Sequence, residues 1–469
     1  MSHAALTDRL AAIGQSGVFR FYDALEEAGR AKLDAQLSAL DLDALPALVD
    51  GYVKNKPTVE LPKDIQPVKA YPTTSDDDLY TQARNRGLDL LKAGKVAAFL
   101  VAGGQGTRLG YEGPKGEYPV TPVKNKPLFQ VFAEQLTAAG RTAGRPIPWY
   151  VMTSDTNDAA TRAFFDKHNY FGLDRSFVRF FEQGMMPAFD KGGDLLLAAK
   201  DSLALSADGH GGSFRALRNS GALDDMKARG VEHLSYFQVD NPIVKVIDPL
   251  FLGLHDLTGS EMSSKTINKA GPLEKVGNFC IGDGKTQVIE YSDLPESLAQ
   301  QTDANGQRTF DAGSIAIHAL RVSFIDRLTA PGSDLKLIWH RADKKVPFVN
   351  EQGELVKPTE PNAVKLEQFV FDAIPLAANP LIYTTRREDE FSPVKNAEGQ
   401  DSPATCRRDQ IRLFARWLEA AGVSVPRKAD GEPDCVLEIS PLFASSAEEL
   451  KTKPLQVEKI EPGQSIYFG

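Results

Sequence analysis

The apolar run VAAFLV at residues 96–101 is followed directly by the glycine-rich segment AGGQGTRLGYEGPKGEYPV at residues 102–120. A continuous apolar run of this length is typical of a strand that is buried on both faces of a parallel sheet. A glycine-rich turn after such a strand, leading into a helix, exposes backbone N–H groups to an anion. The sequence therefore predicts a buried strand that ends in a phosphate-binding loop.

Similar apolar segments recur along the chain and alternate with helical spacing. IPWYVMT, SFVRFF and HLSYFQVDN are predicted strands, and DAATRAFFDKH is a predicted helix. This alternation predicts an α/β fold with a doubly wound, mixed and mostly parallel sheet. Apolar periodicity predicts helices over the first 50 residues or so, and the proline-containing stretch KNKPTVELPKDIQPVKAYPTT predicts an extended connection. We expect a helical segment over residues 1–70, a catalytic domain over 71–390, and a small β-containing domain over 391–469.

The loop matches neither of two familiar phosphate-binding motifs. A P-loop requires G-x-x-x-x-G-K-[ST], but no lysine–serine or lysine–threonine pair follows these glycines. A dinucleotide fingerprint requires G-x-G-x-x-G, and from Gly104 the run reads GQGTRL, which disfavours a nicotinamide-dependent oxidoreductase. Gly103, Gly104 and Gly106 are expected to permit close backbone approach and unusual φ angles. Arg108 and Lys115 add two cations, which suit a polyphosphate; the alternative is a tight structural turn with solvated charges.

Composition and charge exclude several other classes of protein. The net charge of −9 and pI of about 5.5 argue against a nucleic-acid binder. The three cysteines are far apart, and the histidines lack an H-E-x-x-H arrangement, so a disulfide framework and a zinc site are not expected. The N-terminus lacks a basic and apolar signal sequence, and no apolar run is long enough to span a membrane. We expect a cytoplasmic protein without a membrane partner.

The complete segment FLVAGGQGTRLGYEGPKGEYPV resembles the nucleotide-binding loop of the UDP-N-acetylhexosamine pyrophosphorylases, which belong to the eukaryotic-type UDP-sugar pyrophosphorylases. Further blocks resemble this family in the same order and cover roughly residues 95–400. They are PWYVMTS, FFDKHNYFGL, FFEQGMMPA, ADGHGGSFRAL, FQVDNPIVKVIDP, QVIEYSD, PNAVKLEQFVFD and REDEFSPVKNA, with LEISPL in the C-terminal domain.

The resemblance implies a Rossmann-like nucleotidyltransferase core and a reaction in which UTP and a sugar 1-phosphate give a UDP-sugar and pyrophosphate. The implied sugar is N-acetylglucosamine or N-acetylgalactosamine. The implied metal is Mg²⁺, with Mn²⁺ as the alternative, and the implied state is a monomer or homodimer. Because the attacking phosphate oxygen is already largely ionised near neutral pH, the reaction needs no general base. The lack of a catalytic histidine or cysteine constellation agrees with this chemistry.

The resemblance also assigns individual positions, and Asp240 additionally lies where ligands gather, at the end of a predicted strand. The catalytic candidates are Arg108, Lys115 and Lys395. The UTP-binding candidates are Ala102, Gly103, Gly104, Gln105, Gly106, Thr107, Lys115, Gln183, Gly209, Asp240 and Lys365, of which Gln183 and Gly209 match positions that read the uracil. The sugar-phosphate candidates are His210, Glu290, Gly313, Ser314 and Lys395. The metal candidate is Asp240.

The chain departs from the family pattern at three positions around the sugar. His210 stands where the family has asparagine in GNGG, and Asp311 and Ser314 replace two asparagines of NAGNIA. One interpretation is compensated change in a pocket that still takes an N-acetylhexosamine. The other is a different sugar, such as glucose 1-phosphate, or a broader range. A sensor that binds UTP or a UDP-sugar without turnover is the alternative from another class of protein.

Overall fold

The computed structural model describes residues 1–57, 60–333 and 336–469. Within these ranges no helix is both long and apolar enough to cross a membrane. The chain forms two compact units. The smaller unit comprises residues 1–61, 183–215 and 336–372, and the larger unit comprises residues 62–182, 216–335 and 373–469.

The α-helices of the described residues are numbered in chain order. They are α1 His3–Ala12, α2 Glu27–Ser38, α3 Leu45–Leu48, α4 Asp78–Lys92, α5 Leu128–Ala143, α6 Asp158–Lys167, α7 Ser213–Asn219, α8 Ala222–Ala228, α9 Pro249–Leu257, α10 Glu296–Ala299, α11 Val322–Thr329, α12 Arg387–Glu390, α13 Pro403–Ala420 and α14 Ala447–Lys451.

The strands are numbered in the same way. They are β1 Ile65–Pro67, β2 Val96–Val101, β3 Trp149–Thr153, β4 Val178–Glu182, β5 Met185–Pro187, β6 Phe189–Asp190, β7 Leu197–Ala199, β8 Ser202–Leu203, β9 Leu205–Ala207, β10 His233–Gln238, β11 Met262–Asn268, β12 Asn278–Gly282, β13 Lys285–Ile289, β14 Ala312–Arg321, β15 His340–Lys344, β16 Phe348–Val349, β17 Leu355–Val356, β18 Ala363–Glu367, β19 Leu381–Thr384, β20 Val436–Ile439 and β21 Ser465–Phe468.

The larger unit is built on a ten-stranded mixed sheet in the order β1-β12-β14-β10-β2-β3-β4, with β11, β13 and β19 paired to its members. β10, β2, β3 and β4 run parallel, whereas β14 is antiparallel to β10 and β11. The VAAFLV run is β2, and its first five residues are buried, as predicted for a central strand. The mixed α/β sheet is confirmed, and its parallel part brings the carboxyl ends of β2, β3 and β10 to one edge.

Two glycines allow close packing of α4 against α9 within this unit. A Cβ atom built on Gly87 would overlap the carbonyl oxygen of Pro249, and one on Gly253 would overlap the carbonyl oxygen of Ala83. Only glycine permits backbones to approach so closely. This contact holds α9, which follows the Asp240 segment in the chain, against α4.

The last part of the larger unit contains α13 and the parallel pair β20–β21. α13 begins with a capping box, in which the Ser402 side chain accepts from the Thr405 N–H and the Thr405 side chain accepts from the Ser402 N–H. Its apolar face packs with Leu437, Leu450 and Ile460. The expected β content of the C-terminal region is confirmed, and the three domain boundaries stay predictions.

The smaller unit contains the predicted N-terminal helices. Leu6, Leu10, Leu33 and Leu37 are buried in one apolar cluster, which also includes strand residues such as Phe189. The strands β15, β18 and β6 form an antiparallel sheet in this unit. The predicted extended connection contains no helix over residues 60–74, and its residues 58 and 59 lie outside the described part of the chain.

Candidate active site

The glycine-rich loop leaves β2 and folds back on itself. The Gly106 N–H donates to the Gly113 carbonyl at 2.9 Å, and the Lys115 N–H donates to the Gly104 carbonyl at 3.1 Å. The backbone N–H groups of Gly103, Gly104, Gln105 and Thr107 donate to no described residue. Free N–H groups on a loop at the edge of a parallel sheet can bind phosphate oxygens.

Two expectations about this loop are wrong. Gly103, Gly104 and Gly106 do not adopt positive φ; in this loop the left-handed residues are Gly110, with φ 69°, and Gly113, with φ 137°. The loop also does not lead into an α-helix, because only short 3₁₀ turns at Thr107–Leu109 and Lys115–Glu117 precede α5. The dipole of a following α-helix therefore does not contribute to anion binding at this loop.

The segment after β3 holds the loop in place. Asn157 is 1% exposed, and its side-chain amide donates to the Ala102 carbonyl at 2.9 Å and accepts from the Ser154 N–H at 2.8 Å. The Ser154 hydroxyl donates to the Gly103 carbonyl at 2.9 Å, and the Gln105 side chain donates to the Thr156 carbonyl at 3.1 Å. The Asn157 and Ser154 bonds engage the Ala102 and Gly103 carbonyls, and none of these bonds uses the four free N–H groups of the loop.

Three cations and one carboxylate of the larger unit interact electrostatically around Lys115. Burial lowers the pKa of Lys115 below its ordinary value, the Asp240 carboxylate opposes this shift, and Arg108 and Lys395 add to it. Arg108, Lys115, Lys395 and Asp240 form no ion pair within the described residues. The structure thus brings all three predicted catalytic cations and the predicted metal ligand into one cluster.

The segment that carries Lys395 is fixed beside Asp240. The Val394 N–H donates to the Asp240 carbonyl at 2.8 Å, and the Lys395 N–H donates to the Asp401 carbonyl at 2.6 Å. The Lys395 ammonium lies 5.6 Å from the centre of the Phe391 ring, in a cation–π contact. Lys395 is therefore held by its backbone. Its ammonium acts electrostatically on the Asp401 carboxylate but forms no close ion pair among the described residues.

Asp240 offers one carboxylate that a metal could bind together with other ligands. It follows β10 at the carboxyl edge of the sheet, and its carboxylate accepts no hydrogen bond from the described residues. No group of three or more histidine, cysteine, aspartate or glutamate side chains within those residues could hold a metal without further ligands. Mg²⁺ is commonly bound by one or two carboxylates plus substrate phosphates, and a single free carboxylate agrees with that pattern.

Three of the sugar-phosphate candidates, Glu290, Gly313 and Ser314, lie close together in the larger unit. Gly313 pairs with Asn278 across β14 and β12, and Ser314 follows it. A Cβ built on Gly277 would lie 3.4 Å from the Glu290 Oε1 atom and 3.9 Å from the Ser314 Cβ atom, so Glu290 and Ser314 border the same glycine. The Asp311 carboxylate accepts from the Arg308 side chain at 2.6 Å, so its charge is neutralised.

The other candidates lie in the smaller unit. Gln183 precedes β5, and Lys365 lies on β18, where burial lowers the pKa of its ammonium. Gly209 has φ 84°, and any Cβ there would overlap the backbone of Gln368. The Gln368 N–H donates to the Asp208 carbonyl at 2.8 Å, which connects the segment that carries Gly209 to the end of β18. Only glycine fits at position 209, as expected for a backbone that must approach another group closely.

His210 is held as a neutral hydrogen-bond donor. The Val370 N–H donates to His210 Nδ1 at 3.1 Å, so the neutral ring carries its proton on Nε2. The ring stacks on Phe369, with centroids 5.3 Å apart. Burial, reinforced by His340, lowers the pKa of His210 to about 4. Unlike the asparagine of the family pattern, this side chain can offer a ligand a donor but not an acceptor.

Sequence reasoning missed the residues that position the site. Ser154, Asn157 and Asn241 were not singled out, although each follows the end of a predicted strand. Short polar runs after β3 and β10, TSDTN and DNP, were the available signal, because parallel strand ends meet at one edge. The Val394 carbonyl, which accepts from Lys115 at 3.4 Å, gave no sequence signal because it is a backbone group.

The mixed sheet, the loop with free N–H groups and the cations without close ion pairs agree with a nucleotidyltransferase. A family model described as UTP–glucose-1-phosphate uridylyltransferase matches residues 43–405. The chain is 38% identical to the mouse (Mus musculus) UDP-N-acetylhexosamine pyrophosphorylase-like protein 1, covering 93% of this chain and 92% of that protein. It belongs to the UTP–glucose-1-phosphate uridylyltransferase family of UDP-sugar pyrophosphorylases, and the predicted membership is confirmed.

Two further comparisons agree. The chain is 35% identical to UDP-N-acetylglucosamine diphosphorylase 2 of Arabidopsis thaliana, covering 96% of this chain and 91% of that protein. The crystal structure of the uridine diphosphate N-acetylglucosamine pyrophosphorylase from Trypanosoma brucei, in complex with an inhibitor, has a TM-score of 0.79 and 26% sequence identity. That match covers 96% of this chain and 94% of the other. The predicted nucleotidyltransferase fold and enzyme class are therefore confirmed.

Proposed function

We propose that this protein transfers the uridylyl group of UTP to N-acetylglucosamine 1-phosphate and releases pyrophosphate. The observation that carries the proposal is the cluster of Arg108, Lys115 and Lys395 around Asp240, in which no side chain forms an ion pair within 4.0 Å among the described residues. Unpaired cations beside a carboxylate suit two phosphorylated substrates and a divalent metal. The names of the relatives from Arabidopsis thaliana and Trypanosoma brucei support the acetylated sugar.

The reaction is an in-line displacement at the α-phosphorus of UTP. An oxygen of the sugar phosphate forms the new bond to this phosphorus, and the bond to the bridging oxygen of the β-phosphate breaks. Pyrophosphate leaves with the electron pair of that bond. The attacking oxygen is already largely ionised near neutral pH, so positioning and charge stabilisation carry the catalysis.

The larger unit would supply the groups that hold the phosphates. The free N–H groups of Gly103, Gly104, Gln105 and Thr107 bind triphosphate oxygens. Arg108 and Lys115 stabilise the charge that develops on pyrophosphate. Lys395 binds the sugar phosphate. Asp240 would hold Mg²⁺, with Mn²⁺ as the alternative, and this metal would neutralise phosphate charge when bound.

The smaller unit would read the base. Gln183 can donate to and accept from the uracil edge, and Gly209 presents backbone groups without a side chain. Lys365 adds a phosphate contact. His210 can donate to a ligand through Nε2. In the larger unit, Glu290 directly follows β13, and Gly313 and Ser314 lie near the start of β14, where hydroxyl groups can be bound.

Glucose 1-phosphate is the second candidate acceptor. The matching family model is described by that substrate, and His210 and Ser314 replace asparagines that could pair with an acetamido group. Because a site built around a polar substituent discriminates strongly, these replacements can alter the preferred sugar. The neutralisation of Asp311 by Arg308 removes the third departure as a source of unpaired negative charge.

The test is pyrophosphate release from UTP with Mg²⁺, measured in parallel with N-acetylglucosamine, N-acetylgalactosamine and glucose 1-phosphates. We expect the fastest turnover with N-acetylglucosamine 1-phosphate and none without a sugar phosphate. Lys115→Ala should lose activity, whereas Lys92→Ala, on the exposed end of α4, should not. UTP binding without product from any sugar phosphate would favour the sensor instead.

A further inference from the structure

The Asn241 side chain joins the strand end that carries Asp240 to the segment that carries Lys395. Its amide donates to the Glu390 carbonyl at 2.7 Å and accepts from the Ser392 N–H at 3.1 Å. The residue is 5% exposed, so neither bond competes with much water. The Val394 N–H donates to the Asp240 carbonyl at 2.8 Å and extends this connection by two residues.

The far side of the connection is anchored by buried charges. Glu390 and Lys265 are both 0% exposed and form an ion pair, and the Thr385 hydroxyl donates to Glu390 Oε2 at 2.7 Å. Lys265 also donates to Asp248 Oδ2 at 2.7 Å. The Glu390 backbone that Asn241 contacts is therefore rigid, and the amide transmits that rigidity to the Asp240 segment.

We infer that Asn241 is a positioning residue that sets the distance between the metal-binding carboxylate of Asp240 and the sugar-phosphate lysine, Lys395. This inference rests on the proposed function. Asn241 itself is directed at backbone groups and contacts no reacting atom. Its effect on catalysis follows because a displacement by a fraction of an ångström can separate groups that must act on one phosphorus.

Gln15 provides a matched control within the smaller unit. It is 7% exposed, and its side-chain amide donates to the Gly193 carbonyl at 2.8 Å and accepts from the Leu195 N–H at 2.9 Å. Asn241→Ala and Gln15→Ala therefore each remove two hydrogen bonds. In one the side-chain amide donates to a backbone carbonyl, and in the other it accepts from a backbone N–H. Both variants should lose thermal stability, and only the first should disturb the relation between Asp240 and Lys395.

The experiment measures kcat, the KM for each substrate, and the Mg²⁺ concentration for half-maximal rate in both variants and the wild type. For Asn241→Ala we expect kcat to fall at least about tenfold, with a higher KM for the sugar phosphate and a higher Mg²⁺ requirement. UTP affinity, measured by calorimetry, should change less than about threefold, because Ser154 and Asn157 hold the glycine loop independently. Gln15→Ala should retain wild-type kinetics below its melting temperature.

Two results would overturn the inference alone. One is wild-type kinetics in Asn241→Ala, and the other is an equal loss of kcat in both variants when each is assayed at the same interval below its melting temperature. If wild-type protein releases no pyrophosphate with any of the three sugar phosphates, the proposed function fails, and the inference fails with it. Wild-type turnover thus separates the two failures.

Discussion

The Nζ atom of Lys115 lies 3.4 Å from the carbonyl oxygen of Val394 and donates a hydrogen bond to it. Val394 directly precedes Lys395, so the lysine of the glycine loop contacts the segment that carries the second lysine. Residues almost 280 positions apart in sequence are thereby brought together in the larger unit. This contact links the group proposed to face pyrophosphate with the group proposed to hold the attacking phosphate.

Replacing Lys395 should separate substrate binding from turnover. Lys395→Met keeps the length of the side chain and removes its charge, so we expect kcat to fall by about 10²–10³-fold. UTP binding should persist, because the free N–H groups of the glycine loop and Arg108 remain. Steady-state kinetics with calorimetry of UTP binding measure both effects. Loss of UTP affinity with unchanged kcat would contradict the assignment of Lys395 to the sugar phosphate.

The choice of sugar should depend more on His210 than on Asp311. Asp311→Asn should change the ratio of kcat/KM for N-acetylglucosamine 1-phosphate over glucose 1-phosphate by less than about threefold, because Arg308 already neutralises this carboxylate. His210→Asn restores both a donor and an acceptor and should raise that ratio at least about tenfold. Competition between the two sugars in one reaction measures the ratio. A larger effect at Asp311 would show that its carboxylate contacts substrate.

Removing the buried Lys265 ammonium should destabilise the larger unit. Lys265→Met removes the cation that forms ion pairs with both Asp248 and Glu390, so we expect a loss of about 3–5 kcal/mol in the free energy of unfolding. Urea unfolding followed by tryptophan fluorescence measures the change. The control is Lys32→Met, because the Lys32–Asp201 pair is exposed and should contribute at most about 1 kcal/mol. Equal losses in the two variants would contradict the structural role of Lys265.

Stability should fall under mildly acidic conditions because His233 is buried in its neutral form. His233 is 0% exposed, and burial is the main cause that lowers its pKa to about 4. The folded state therefore resists protonation while the unfolded chain accepts a proton near pH 6.5, so stability present above that pH is lost as the pH falls toward about 4.

Melting temperatures measured over this pH range check the prediction. His233→Phe removes the titrating ring and should reduce the slope of melting temperature against pH. His3→Phe is the control, because the His3 side chain is 40% exposed. An unchanged slope in His233→Phe would show that other groups cause the acid sensitivity.

Local pattern predicted the elements that carry the site but not the contacts between them. VAAFLV identified β2, and the position of Asp240 after an apolar run identified a strand end at the ligand-binding edge. The contact of Asn241 with Glu390 spans 149 positions, and no periodicity in one sequence encodes such a pairing. The prediction of unusual φ angles at Gly103, Gly104 and Gly106 was wrong, because glycine permits a positive φ without requiring it. The neutrality of His210 depends on Val370 and Phe369, which only the tertiary fold places beside it.

The smaller unit is assembled from three segments, the last of which ends at Asp372. Leu6 and Leu10 share one buried cluster with Phe189 and Leu366, so α1 and α2 gain their full set of native neighbours only when that last segment is available. A ribosome that adds about 5–20 residues per second needs on the order of 15–60 s to travel from the first segment to the end of the third. Throughout that interval the first helices lack part of their native cover, so we expect them to be candidates for chaperone binding during translation.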